Sequence, residues 1–98
     1  RDKINIGISY SSDIKLAKEI LTELVNEQEN ILDDPAPQVV VDTLGDSAVV
    51  LSLRFWALNE HFWDVHFHTM EEAKKRLEDQ GISIPFPQHD VRVYKMDK

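Results

Sequence analysis

The apolar residues of this chain switch their period along its length, from two to about 3.6 and back, twice over. An element patterned for one period cannot bury its apolar side in the other conformation, so this alternation constrains the fold more than any single motif. Ile4, Ile6, Ile8 and Tyr10 alternate with Asn5, Gly7 and Ser9, which reads as a strand with one buried face. Ser11-Ser12-Asp13 then supplies a helix N-cap, with an acid placed where the helix dipole favours it. Ile14, Ala17, Ile20, Leu21, Leu24, Val25, Gln28 and Ile31 recur at helical spacing and predict an amphipathic helix of about four turns. Asp33-Asp34-Pro35-Ala36-Pro37 stops it. Val39 to Leu44 is a β-branched run, Gly45-Asp46 a turn, and Ala48 to Ala57 the next strand, so the three read as a β-hairpin. In that strand Val49, Leu51, Leu53, Phe55 and Ala57 share one face, and Val50, Ser52, Arg54 and Trp56 the other.

From about Asn59 to Gln80 a second helical stripe runs through Phe62, Val65, His66, Thr69, Met70, Ala73 and Leu77. Thr69-Met70-Glu71-Glu72 has the look of a capping box, but the stripe passes through it without a Gly or Pro, so one long helix is expected. Gly81 fits the left-handed residue past that helix. Pro85 and Pro87, on either side of Phe86, then hold the backbone extended and remove two donors, making a stiff apolar strap of Ile82 to Gln88. Val91, Val93 and Met96 suit a last strand.

The order strand, helix, strand, strand, helix, strand is that of the ferredoxin-like βαββαβ sandwich, an α+β fold. Right-handed crossovers put both helices on one face of a mixed, mostly antiparallel sheet. The first and third strands are expected in the centre, roughly parallel, with the second and fourth at the edges. The 98 residues fit one domain spanning 1–98.

The formal charge of −7 argues against binding nucleic acid, which requires a positive face, and against docking on anionic lipid. Between Ser12 and Asp34 seven acids face two lysines, so much of the excess lies on the first helix and its exit. The absence of cysteine rules out disulfides, thiolate metal sites and cysteine nucleophiles. No apolar run reaches the roughly 20 residues that span a bilayer. The chain opens at Arg1 without Met and enters its first strand almost at once, so a fragment of a longer protein is expected.

Of the four histidines, His61 and His68 would share a helical face with Asp64, a weak candidate metal set, and surface or half-buried polar residues beside aromatics are the plainer reading, so no metal is assigned. Asp42, Asp46, Asp64 and Asp90 are scattered and form no converging carboxylate pair, and no nucleophile elbow or phosphate loop is present. No catalytic residue and no cofactor is therefore assigned, and the chain is not expected to be an enzyme. Five aromatics, Phe55, Trp56, Phe62, Trp63 and Phe67, exceed what one small core can face. Trp56, Trp63 and Arg54 are the candidate interface residues.

Several segments together resemble the cytoplasmic α/β domain of the small-conductance mechanosensitive (MscS-like) channel family. Ile4 to Tyr10, followed by Ser12-Asp13-Ile14 and an Ile20-Leu21 helix, is similar to its "V-x-Y-x-[ST]-D" entry, and Ile31-Leu32-Asp33-Asp34-Pro35 to its "I-L-x-[DE]-P" helix exit. Leu44 to Val49 resembles its turn between strands two and three, and Arg54-Phe55-Trp56 its "R-x-W" strand end. The most specific match is Gly81-Ile82-Ser83-Ile84-Pro85-Phe86-Pro87-Gln88 to "G-I-x-[IF]-P-[FY]-P-Q". Histidines at 61, 66 and 68, and Asn59-Glu60-His61 in place of a small turn, depart from the family pattern.

The resemblance implies a homo-oligomeric, typically heptameric, membrane channel that opens under tension and releases solutes on osmotic downshock. This domain would build its cytoplasmic cage, below a bacterial or archaeal inner membrane, with ions and small solutes passing through side portals. Transmembrane helices and a preceding β-domain would lie elsewhere in the parent. The alternative reading is a free ferredoxin-like regulatory module that binds a small ligand or metal through His61, Asp64 and His68.

Overall fold

The computed structural model describes residues 1–85. The elements are β1 (Asp2–Ile8), α1 (Ile14–Asn26), β2 (Gln38–Leu44), β3 (Val49–Phe55) and α2 (Phe62–Asp79), with a 3-10 turn at Asn59–His61 leading into α2. The sheet order is β1-β3-β2, so β3 is the central strand of those described. β1 pairs antiparallel with β3 from Asp2↔Phe55 to Ile8↔Val49. β2 pairs antiparallel with β3 from Gln38↔Arg54 to Leu44↔Val49, with a register shift between Val41 and Thr43.

The expectation of parallel first and third strands is thus corrected. The crossover through α1 returns β2 in the direction of β1, and the turn at Gly45 reverses the chain once more, so β3 opposes both. All described pairings are antiparallel, and the mixed sheet is not seen among the described residues. The expected last strand at Val91 and Val93 lies outside the described residues, as do Phe86, Pro87 and Gln88 of the strap.

Asp13 caps α1, its Oδ1 accepting from the Leu16 N–H at 3.1 Å. The helix buries Ala17, Leu21, Leu24 and Val25 and stops at Asn26, short of the expected Ile31. Ile31 is buried by a different route, in a β-bridge to Ala57, while the Leu32 N–H donates to the Trp56 carbonyl at 2.8 Å. Helical spacing at Gln28 and Ile31 was therefore overridden by pairing with the end of β3. Tyr10, expected on the buried face of β1, lies past the strand and is half exposed, its hydroxyl donating to the Gly45 carbonyl.

α2 is one unbroken helix through Thr69, which is fully buried inside it. Its end is closed by the Ile82 N–H to the Leu77 carbonyl at 2.9 Å and the Gly81 N–H to the Glu78 carbonyl at 3.0 Å. Gly81 has φ +78°, the left-handed residue that this closure needs. Ile4, Ile8, Val49, Leu51, Leu53 and Phe55 on one sheet face pack against Leu21, Leu24, Val25, Val65, Ala73 and Leu77 of the helices. α1 lies over β2 and β3, and α2 over β1, so both helices cover the same face.

Candidate interaction surface

The fold leaves its largest apolar side chains in solvent at particular places. On α2, Trp63 and Phe67 are each 63% exposed and Met70 is 48% exposed. Their spacing of four and then three puts them in one row, beside the buried stripe of Val65, Thr69, Ala73 and Leu77. The rings of Trp63 and Phe67 stack with centroids 5.9 Å apart, and Phe62 meets Trp63 edge-on at 5.1 Å. Spacing alone assigned Met70 to the buried stripe and passed over Phe67. The i, i+4, i+7 relation counted from Trp63 was the signal that finds both.

Beside this ridge a groove of about 240 Å³ runs between α2 and β1. Met70, Lys74 and Glu78 form one wall, and Asn5, Ile6 and Gly7 the other. Ile84, from the start of the strap, closes one end.

The second candidate area lies at the end of β3. Trp56 is 42% exposed there, in a shallow recess that it shares with Arg1, Pro35, Gln38 and Arg54. Arg54 is already engaged, donating to Asp42 at 2.9 Å and through Nε to the Ser52 hydroxyl at 3.2 Å. That contact explains why Ser52 is fully buried on a sheet face otherwise open to water. The Asp42 carboxyl is held below the ordinary range, first by the Thr43 hydroxyl and then by the charges of Lys3 and Arg54, against some desolvation. Arg54 is therefore anchored within its own chain, and Trp56 is the freer of the two.

The candidate metal residues His61 and Asp64 lie at the start of α2. His61 sits in the 3-10 turn, 4.0 Å from Glu60, and Asp64 lies in the first turn of α2. Among the described residues no three His, Asp or Glu side chains come together to hold a metal. The 3-10 turn breaks the helical register that relates 61 to 64 and 68. His66 takes a different role, with Nδ1 2.7 Å from a carboxylate oxygen of Asp2. The other Asp2 oxygen accepts from the Lys3 N–H at 2.8 Å, and the carboxylate is almost wholly buried. No pattern in the sequence links residues 64 positions apart, so this pair was not foreseen.

The acids of α1 do not act alone either. Glu27 accepts from both terminal nitrogens of Arg76, at 2.9 and 2.6 Å, and this bond lowers its pKa below the usual carboxylate value. The Arg76 guanidinium is in turn held more firmly protonated by Glu27 and then by Glu72. Glu19 and Glu23 remain exposed around a recess that Arg76 and Asp79 also line.

The family model described as "Mechanosensitive ion channel MscS, C-terminal" matches residues 2–84. The chain belongs to the MscS family. Among its MscS relatives, a family protein of Archaeoglobus fulgidus is 41% identical over 86 residues, which is 88% of this chain and 30% of that protein. The small-conductance mechanosensitive channel of Edwardsiella ictaluri is 33% identical over 98 residues, all of this chain and 34% of the channel. The crystal structure of Helicobacter pylori MscS in its closed state superposes with a TM-score of 0.77 at 26% identity, over 87% of this chain and 35% of that one. Arabidopsis thaliana MSL1, at 16% identity and a TM-score of 0.70, shares the fold. The chain thus spans about a third of the length of the MscS proteins it matches. Among its described residues no helix is long and apolar enough to cross a membrane. Residues 2–84 thus correspond to the C-terminal domain of the MscS family.

Proposed function

We propose that this domain builds part of the cytoplasmic vestibule of a homo-oligomeric, heptameric mechanosensitive channel that releases solutes on osmotic downshock. The observation that carries this reading is the match to the MscS C-terminal domain over residues 2–84, supported by the closed-state H. pylori fold. The domain does no catalysis. It shapes the space through which ions and small solutes reach a pore formed elsewhere in the parent.

Solutes are filtered there by size and, weakly, by charge. Glu19 and Glu23 carry the charge contribution, because Arg76 offsets Glu27. A ring of such helices gives a cation-favouring field that reaches about 8 Å at physiological ionic strength.

The test is downshock survival of a bacterial strain stripped of its own mechanosensitive channels. Rescue by the parent gene, and loss of rescue on deleting residues 2–84, is the expected result. Survival that does not depend on the parent gene overturns the reading. Glu19→Gln with Glu23→Gln should move the reversal potential of the intact channel toward anions, and an unchanged potential removes the charge filter.

A further inference from the structure

We propose that Arg76 determines the charge selectivity of the vestibule, by cancelling acid charge along the seam between α1 and α2. This rests on the charge-filter reading above and names the residue that tunes it.

Between the two helices lies a recess of about 360 Å³. Glu19 and Glu23 line it from α1, and Asp79 from the last turn of α2. Leu16 and Ile20 add an apolar lining and are themselves partly buried against the core. Arg76 is the one cation among the described residues that line it. The same guanidinium donates to Glu27, at 2.6 and 2.9 Å, and to Glu72, at 3.1 Å. Within this set five carboxylates, Glu19, Glu23, Glu27, Glu72 and Asp79, face one guanidinium, which leaves a charge of −4.

The position of that guanidinium is fixed. Its three nitrogens are all bonded, and Glu27 and then Glu72 hold it firmly protonated. It therefore keeps its charge at every physiological pH, at a defined place that a surface lysine on a flexible stem does not provide. Acids one helical turn apart, as Glu19, Glu23 and Glu27 are, stand about 6 Å from one another along the axis. That is inside the screening length of about 8 Å at physiological ionic strength. Charge gained or lost at Glu27 is therefore felt at Glu23 and into the recess.

Arg76 does two things here, and they are separable. It ties the exit of α1 to α2, and it takes two carboxylates out of the field. Loss of Arg76 leaves Glu27 and Glu72 uncompensated beside Glu19, Glu23 and Asp79, and takes the set to −5. Loss of the Glu27 charge takes it to −3. Both changes remove the same two-point bond. A purely structural arginine affects the channel alike in either case. A selectivity residue moves it in opposite directions, and repeats that step in each copy around the ring.

The parent channel, reconstituted in a bilayer across a salt gradient, gives the test through its reversal potential. Arg76→Gln should move the potential toward cations and Glu27→Gln toward anions, by shifts of similar size. The double variant, with the bond gone but the net charge restored, should return to the natural value. Arg76→Lys, which keeps the charge and loses the two-point grip, should stay there too. Shifts of the same sign in the two single variants, or no shift in either, overturn the proposal. Where Arg76→Gln fails to assemble, Glu27→Gln decides by its sign: a shift toward anions supports the assignment, and any other result overturns it. Failure of this proposal alone shows as a shift with Glu19→Gln plus Glu23→Gln and no opposite shifts at positions 27 and 76. An unmoved potential in that pair as well removes the charge filter itself.

Discussion

Arg76 grips Glu27 with both ends of its guanidinium and reaches Glu72 through Nε at 3.1 Å. Glu27 is the residue that ends α1, so the trio clamps the exit of one helix to the last turns of the other. Two-point recognition of this kind is stronger than a single ion pair, but both partners remain partly in solvent.

A pH dependence follows from the direction of the Glu27 shift. Arg76 lowers the folded-state pKa below the ordinary 4.5, so the unfolded chain binds that proton more readily. The stabilisation is complete above the ordinary value and fades as pH falls through the lowered one. Melting curves taken from neutral to acid pH should show a steeper loss of Tm for the natural chain than for Glu27→Gln. Parallel curves would mean that the clamp contributes nothing to folding. High salt should shrink the difference.

The buried Asp2 carboxylate depends on His66 for one of the two hydrogen bonds it makes among the described residues. His66→Ala leaves it under-satisfied, and the expected cost is about 1–3 kcal/mol. Urea unfolding of His66→Ala, Asp2→Asn and the double variant measures the coupling. The double variant should lose less than the sum of the two single ones, and strict additivity would deny the pair.

Among the described residues no atom lies within 4 Å of where a Cβ at Gly81 would sit, while φ is +78°. Gly81→Ala should therefore cost about 1 kcal/mol through backbone conformation alone. Gly81→Asn should cost less, as asparagine tolerates this region better. Equal losses for the two, read from chemical denaturation, would point to a steric cause.

Exposed and buried aromatics should separate cleanly in the isolated domain. Phe67→Ser changes stability by no more than about 0.5 kcal/mol, as befits a surface position. Phe55→Ala, at a side chain 1% exposed in the sheet core, costs about 3–5 kcal/mol. A large loss at Phe67 would show that the ridge already has a partner within the chain.

The element order was legible because burial imposes period, and it did so most clearly in β3, where Val49, Leu51, Leu53 and Phe55 are all buried. The long second helix and the role of Gly81 were legible for the same local reasons. The end of α1 was not, because Ile31 satisfies helical spacing and still bridges to Ala57, a tertiary preference that no local pattern reports. Strand direction is set by the crossover through α1 and the turn at Gly45 together, which leave β3 antiparallel to β1, and no local pattern carries it. At the surface, Trp56 and Trp63 are exposed, as their positions off the apolar faces implied. The partners of Arg54 and Glu27, Asp42 and Arg76, lie 12 and 49 residues away along the chain, beyond any local pattern. The His61, Asp64, His68 arrangement assumed an α-helix where a tighter turn occurs.

The central position of β3 also bears on the order in which the domain is made. β1 leaves the ribosome first, yet its only described strand partner begins at Val49, after α1 and β2 have been synthesised. Until then its backbone and the apolar side of Ile4 and Ile8 are unpaired. The β2–β3 hairpin closes over a short turn and forms a template once it emerges, and β1 must then return to it across a large loop. The nascent domain therefore passes through a stage with an apolar strand held open, when a chaperone, or another nascent copy, has its best opportunity to bind.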